Sequence, residues 1–257
     1  MNHLNLSFAA CGFLGIYHLG AASALLKHGG TMLKAVKVFA GASAGSLAAT
    51  VLLTAPDKIK ESKDFIYTFS EDVRKETLGA VTPRYDFMNR LREGIEAILP
   101  HKAHEIAENC LYISITNTKS RENCLVSSFA SREELIKVLL ASCFVPVYAG
   151  IQAVEYRGEK WFDGGFTNGL PLLPTGRTVT VSPFCGRQDI CPEDKGHVDL
   201  YFNIAMQDVL LSPANFERLR QALFPPSHAK MESIFQDGFE DAVKFLRSEN
   251  WNSVDRI

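Results

Sequence analysis

The sequence predicts an α/β domain, and three observations carry that expectation. Two successive units, "LNLSFAACGFLGIYHLG" and "VKVFAGASAGSLAATVLLTA", each run from a short apolar strand through a glycine turn into a helix. Further along, "LYISITNT" and "NCLVSSFA" alternate about a polar "KSRE" turn as paired strands do. Finally, no linker, repeat or low-complexity break divides the 257 residues, so one domain over residues 1–257 is the simplest organisation. A chain of this length buries roughly three quarters of the surface it exposes when unfolded.

The elements follow from local pattern. After the first strand, Ile16, Leu19, Ala22, Leu25 and Leu26 recur at helical spacing as far as Gly29 and Gly30. The second helix, "SLAATVLLTA", is apolar nearly all round and must therefore be buried. From Pro56, a residue suited to a first helical position, "DKIKESKDFIYTFSEDVRKETLG" is charged and amphipathic. "YDFMNRLREGIEAILP" and "AHEIAENC" continue in helical style, and all three of these helices read as covers for the sheet or borders of a site. Ser131 with Glu134 makes a capping box for the helix "REELIKVLLASC". "QAVEYRGEKWFDGG" reads as two short strands around "RGEK", and "RTVTVSPF" as another strand. The last 50 or so residues carry two helical patterns separated by Pro225 and Pro226.

Composition excludes several classes. Apolar residues at 46% and charged residues at 22% are ordinary for a folded protein, and a net charge of −2 offers nucleic acid no attraction. The six cysteines are scattered without a Cys-x-x-Cys pair, so neither a zinc site nor a redox pair is signalled. Reduced, buried thiols fit a cytosolic or organelle-facing protein better than a secreted one. Leu4 to Leu26 contains no Asp, Glu, Lys or Arg, which invites a signal-peptide reading. Against it, Met1-Asn2-His3 lacks a positive charge, and Gly12, Gly15, Gly20, Tyr17 and His18 interrupt the apolar run.

The chemistry concentrates in three short stretches. Gly41-x-Ser43-x-Gly45 stands between a strand and a helix, where a sharp turn with small neighbours exposes a serine hydroxyl. The following helix directs its N-terminal amides at charge developing beside Ser43. "CGFLG" supplies a turn of amides at Gly12, Phe13 and Leu14 that suits an oxyanion. "WFDGG" puts Asp163 at the end of an apolar strand, with Gly164 and Gly165 permitting close approach. Plainer readings stand beside these: a tight turn at Ser43, close helix packing at Gly12 and Gly15, a backbone cap at Asp163. The proton acceptor for Ser43 separates two further readings. His101 and His104 lie in a polar helical stretch and His228 follows two prolines, so His197, near a strand end, is the histidine candidate for a triad. Asp163 is the alternative, and it requires a dry site in direct contact with the serine hydroxyl.

Together, in that order, "CGFLG", "GASAG" and "DGG" resemble the patatin-like phospholipase family, from about residue 4 to about residue 250. The resemblance implies a three-layer α/β/α sandwich with a central, mostly parallel sheet, and hydrolysis of lipid acyl esters by a serine–aspartate dyad without metal or cofactor. Carried over motif by motif, Ser43 is the nucleophile and Asp163 the base. Gly12, Phe13 and Leu14 form the oxyanion hole, with Gly15, Gly41, Gly45, Gly164 and Gly165 as motif glycines. Many members carry Arg or Lys just before the last glycine of the first motif; here Leu14 stands there, which fits neutral glycerides better than phospholipids. Triacylglycerol lipase, retinyl ester hydrolase, phospholipase and transacylase activities are all associated with the group.

A lipid substrate implies an intracellular protein working peripherally at a lipid droplet or membrane surface, with mitochondrial association and protein partners left open. Phe13 and the "CFVPVYAG" loop are candidates for contact with that surface, core packing being the other reading of the loop. A catalytically weak lipid-binding or scaffolding protein of the same fold is the rival from another class.

Overall fold

The computed structural model describes residues 3–194 and 200–251, so His197 and the terminal "NSVDRI" lie outside the described residues. β1 (Leu4–Phe8) is buried at every position, and a single 3-10 turn (Gly12–Leu14) leads from it into α1 (Gly15–His28). The N-terminal apolar run is thus divided between strand and helix. No helix among the described residues is long and apolar enough to cross a membrane.

Gly30 opens a further short helix, α2 (Gly30–Ala35), where the residue pattern suggested only an ending. β2 (Val36–Ala42) then turns at Ser43 into α3 (Ala44–Thr54). α3 is buried nearly all round, and its polar residues are satisfied within it. Ser46 Oγ donates to Ser43 O at 2.7 Å, Thr50 Oγ1 to Ser46 O at 2.7 Å and Thr54 Oγ1 to Thr50 O at 2.8 Å.

α4 (Ile59–Lys75), α5 (Phe87–Ile98) and α6 (Ala103–Ala107) precede β3 (Leu111–Asn117) and β4 (Asn123–Val126). α7 (Arg132–Cys143) begins at the expected cap, with Glu134 N donating to Ser131 Oγ at 3.1 Å. β5 (Val154–Tyr156), β6 (Glu159–Asp163) and β7 (Arg177–Val181) complete the main sheet. β8 (Tyr201–Ile204) and β9 (Gln207–Leu210) form a separate hairpin that the residue pattern did not announce. α8 (Pro213–Leu223) and α9 (His228–Ser248) follow, and α9 packs along α1.

The main sheet has seven strands in the order β5-β6-β3-β2-β1-β7, with β4 also paired to β3, and helices cover both faces in a three-layer α/β/α sandwich. β7, β1, β2 and β3 run parallel, whereas β4, β5 and β6 join antiparallel. Registry positions the chemistry. Phe8 stands opposite Gly41, so the turns that leave β1 and β2 emerge side by side. On β3, Ser114 pairs with Ala42 and the next residue, Ile115, pairs with Asp163. One strand thereby sets Asp163 beside the turn at Ser43, 120 positions earlier in the chain.

Candidate active site

Ser43 occupies the turn between β2 and α3 with φ 52° and ψ −130°, a backbone state that costs a residue with a side chain roughly 1–3 kcal/mol. The surroundings hold it there. Its amide donates to Ser142 Oγ at 2.8 Å, and Ser142 Oγ donates onward to Ser114 O at 2.7 Å. Its carbonyl accepts from Ser46 N at 2.9 Å. The flanking glycines are required by space: a Cβ on Gly41 would lie 2.5 Å from the Gly45 carbonyl carbon, and one on Gly45 would lie 2.2 Å from Phe8 O.

Asp163 closes β6 and is 3% exposed. Its backbone is tied on both sides, the amide donating to Phe144 O at 2.9 Å and the carbonyl accepting from Thr116 Oγ1 at 2.8 Å. Oδ1 accepts from Gly165 N at 2.6 Å, so the carboxylate does cap its own turn. Gly164 and Gly165 sit against Ser114 and Ala10. Burial pushes the carboxyl up to about 7, while the Ser43 hydroxyl and the Gly165 amide pull the other way. Two buried thiols flank the pair. Burial first and the Asp163 charge second raise Cys11 and Cys143 well above an ordinary thiol, and the Ser43 hydroxyl partly offsets this at Cys143.

The first glycine turn abuts both. Gly12 has φ +53°, and a Cβ there would fall 2.1 Å from Ala222 O of α8. Gly15 packs against Ala44 at the start of α3. Of the three amides proposed for an oxyanion, Leu14 N donates to Cys11 O at 3.1 Å inside the turn, and its side chain is buried away from the cavity. The amides of Gly12 and Phe13, beside the N-terminal amides of α3, make no such backbone bond outside the regular elements among the described residues.

Ser43 and Asp163 both line a cavity of about 700 Å³ in which Asp163 is the only formally charged side chain among the described residues. Its inner walls are Leu47 and Val51 of α3, Phe65 and Phe69 of α4, and Leu91 and Ile95 of α5. Phe13 belongs to this wall, packed on Phe69 and Phe87, and is 7% exposed, so it does not reach out to an external lipid surface. The "CFVPVYAG" loop divides: Cys143, Phe144 and Ala149 are buried, whereas Val147 is exposed. None of the described histidines lines the cavity. His18 is fully buried, with Nε2 bonded to Ala9 O at 2.8 Å, and burial lowers its pKa to about 4. No three His, Cys, Asp or Glu side chains gather to hold a metal ion among the described residues.

The expectation that the amphipathic helices α4 and α5 cover the sheet or border a site is met, since both line the cavity. Sequence reasoning missed Ser142 and Ser114, which carry no motif, and the contributions of α8 and the β8–β9 hairpin to the cavity.

Comparison with known proteins bears on this geometry. The description patatin-like phospholipase matches residues 6–175. The chain is similar to human patatin-like phospholipase domain-containing protein 4, at 68% identity over 251 residues covering 98% of this chain and 99% of that protein. It is similar also to human omega-hydroxyceramide transacylase, 35% identical over 246 residues that cover 96% of this chain but 46% of the longer relative. Among solved structures, VipD from Legionella pneumophila matches with a TM-score of 0.50 at 14% identity, covering 96% of this chain and 67% of that one, a likeness of fold alone.

Proposed function

This chain belongs to the patatin-like phospholipase family, and we propose that it hydrolyses lipid acyl esters through a Ser43–Asp163 dyad. The observation that carries the reading is a buried carboxylate beside a strained serine, at the wall of a cavity otherwise free of charge among the described residues. A base poised near neutrality is matched to a hydroxyl nucleophile at neutral pH.

Asp163 takes the Ser43 hydroxyl proton as Oγ bonds to the ester carbonyl carbon. The carbonyl oxygen becomes an oxyanion, met by the amides of Gly12 and Phe13 and by the N-terminus of α3. Collapse breaks the ester C–O bond, and Asp163 returns its proton to the departing alcohol, leaving an acyl-enzyme. Water then enters, gives a proton to Asp163 and attacks the acyl carbon; the proton passes back to Ser43 as the fatty acid leaves. If an apolar alcohol takes the place of water, the product is a new ester. The transacylase among the relatives supports that branch.

A neutral glyceride or retinyl ester is favoured over a phospholipid, because among the described residues no cation lines the cavity to meet a phosphate. The substrate is drawn from a lipid surface, to which the chain binds peripherally. Labelling with a serine-directed fluorophosphonate, and turnover of triolein, phosphatidylcholine and retinyl palmitate by the wild type and Ser43→Ala, test the proposal. Ser43-dependent labelling and turnover of the two neutral esters are expected. Labelling and turnover that persist in Ser43→Ala would remove the dyad.

A further inference from the structure

The cavity opens through residues that both line it and remain exposed: Phe166, Ile204 at the hairpin turn, and Phe216, Leu219 and Leu223 of α8. Two hydrogen bonds join neighbouring segments to this mouth. Tyr148 OH donates to Leu223 O at 2.6 Å, bringing the 145–151 loop against the end of α8. Gly169 N donates to Ala205 O at 2.7 Å, fixing the hairpin turn beside the segment that follows Asp163. Each segment adds an apolar side chain that faces solvent and lies outside the cavity: Met206 at 56% exposure, Phe224 at 53% and Ile151 at 91%.

Charge says what such a face can meet. On α8, Arg218 is paired with Asp194 at 2.8 Å and Arg220 with Glu217 at 2.6 Å. The hairpin strands and the 145–151 loop contain no Lys or Arg. Arg187, the remaining cation beside the hairpin among the described residues, lies over the Tyr201 ring at 4.5 Å. An apolar rim with so little free positive charge offers little to anionic headgroups or an acidic protein, and matches an uncharged surface with exposed acyl chains.

We propose that the β8–β9 turn, α8 with Phe224, and the 145–151 loop form one docking face for an uncharged lipid surface, delivering substrate directly into the cavity mouth. This rests on the lipid-hydrolase reading and adds where the surface is met and what surface it is.

The test is flotation of the full chain with a phosphatidylcholine-coated triolein emulsion, in both the wild-type and the Ser43→Ala background. Met206→Asp, Ile151→Asp and Phe224→Asp are compared singly and combined. Leu26→Asp, near the far end of α1, is the control; α1 starts at the site and runs about 20 Å away from it over its 14 residues. Each rim variant is expected to weaken partitioning about tenfold, as for the loss of one buried apolar side chain, with Leu26→Asp unchanged. Hydrolysis of a soluble short-chain ester stays within about twofold, since none of the three residues lines the cavity. Added phosphatidylserine or salt leaves binding as it was. Wild-type chain that fails to float, a combined variant that floats normally, or binding that depends on phosphatidylserine would each overturn the proposal. Ser43→Ala chain that floats while the wild type lacks esterase activity would uphold the docking face and defeat the hydrolase reading instead.

Discussion

Asp163 stands opposite Ile115 on β3, and that pairing is what carries it to Ser43. Ser114, one residue earlier on the same strand, pairs with Ala42 at the entrance to the Ser43 turn, and its carbonyl accepts from Ser142, which in turn accepts from the Ser43 amide. The spacing of hydroxyl and carboxylate is therefore set by backbone pairing in the centre of the sheet, and three consequences concern the titration and support of this pair.

In the proposed mechanism, activity follows the ionisation of Asp163. The base must be deprotonated, and burial raises its carboxyl to about 7. On a soluble ester, kcat/KM is expected to rise through a midpoint near pH 7 and level off above it. A pH–rate profile with a midpoint near 4 would mean that Asp163 is solvated in the working enzyme.

The same shift makes the carboxylate a stability cost. Asp163 keeps its proton in the folded chain to about pH 7, whereas the unfolded chain releases it near 3.8. Between those values the folded state holds more protons, so stability falls as pH rises, and above 7 the full cost remains, about 4 kcal/mol at 1.36 kcal/mol per unit. Asp163→Asn is expected to lower esterase activity by about 10²–10⁴-fold while raising Tm at pH 8 and leaving it nearly unchanged at pH 4. Thermal melts of both proteins at the two pH values check the sign.

Ser142 supports the strained turn without lining the cavity. Ser142→Ala leaves the Ser43 amide buried without its partner, which costs about 1–3 kcal/mol and frees φ to relax from its positive value. A fall in kcat of about tenfold with KM held is expected, because the acyl-binding walls are untouched. Chemical denaturation alongside the kinetics separates the two effects.

Gly12 is constrained twice over, by φ +53° and by the Ala222 carbonyl. In Gly12→Ala the new methyl forces α8 away from the turn that presents the Gly12 and Phe13 amides. Activity is expected to fall by about 10²–10³-fold, the cost of losing an oxyanion donor. Retention of activity would place the oxyanion elsewhere, at the α3 N-terminus alone.

The parts of this architecture that were legible in the sequence are those with a local signature. The Ser43 turn is announced by its glycines between an apolar strand and an apolar helix, and Asp163 by an apolar strand ending in two glycines. The β8–β9 hairpin was not legible because its turn places Ala205 at φ 47° and Met206 at φ 70°, left-handed positions normally marked by Gly, Asn or Asp. Phe13 misled for a different reason: a large apolar residue in a glycine turn looks exposed until Phe69 and Phe87, from two separate helices, enclose it. Nor does any pattern within α4 and α5 disclose that their apolar faces leave a cavity between them.

That cavity has a wall that one substitution can move. Gly94 of α5 lies against the Phe65 ring, and a Cβ there would come within 2.2 Å of Phe65 Cζ. Both residues line the cavity. The ring is held by stacking on Phe69 at 5.5 Å and by the Arg90 guanidinium 5.1 Å from its centre. Gly94→Val must therefore displace Phe65 into space that an acyl chain would use, shortening the cavity while leaving Ser43 and Asp163 untouched. Turnover of palmitoyl esters is expected to fall at least about tenfold, the effect of losing burial for a few methylenes, while butyryl esters are hydrolysed at the wild-type rate. Parallel loss on both chain lengths would mean that the α4–α5 wall supports the fold of the site and does not measure the acyl chain.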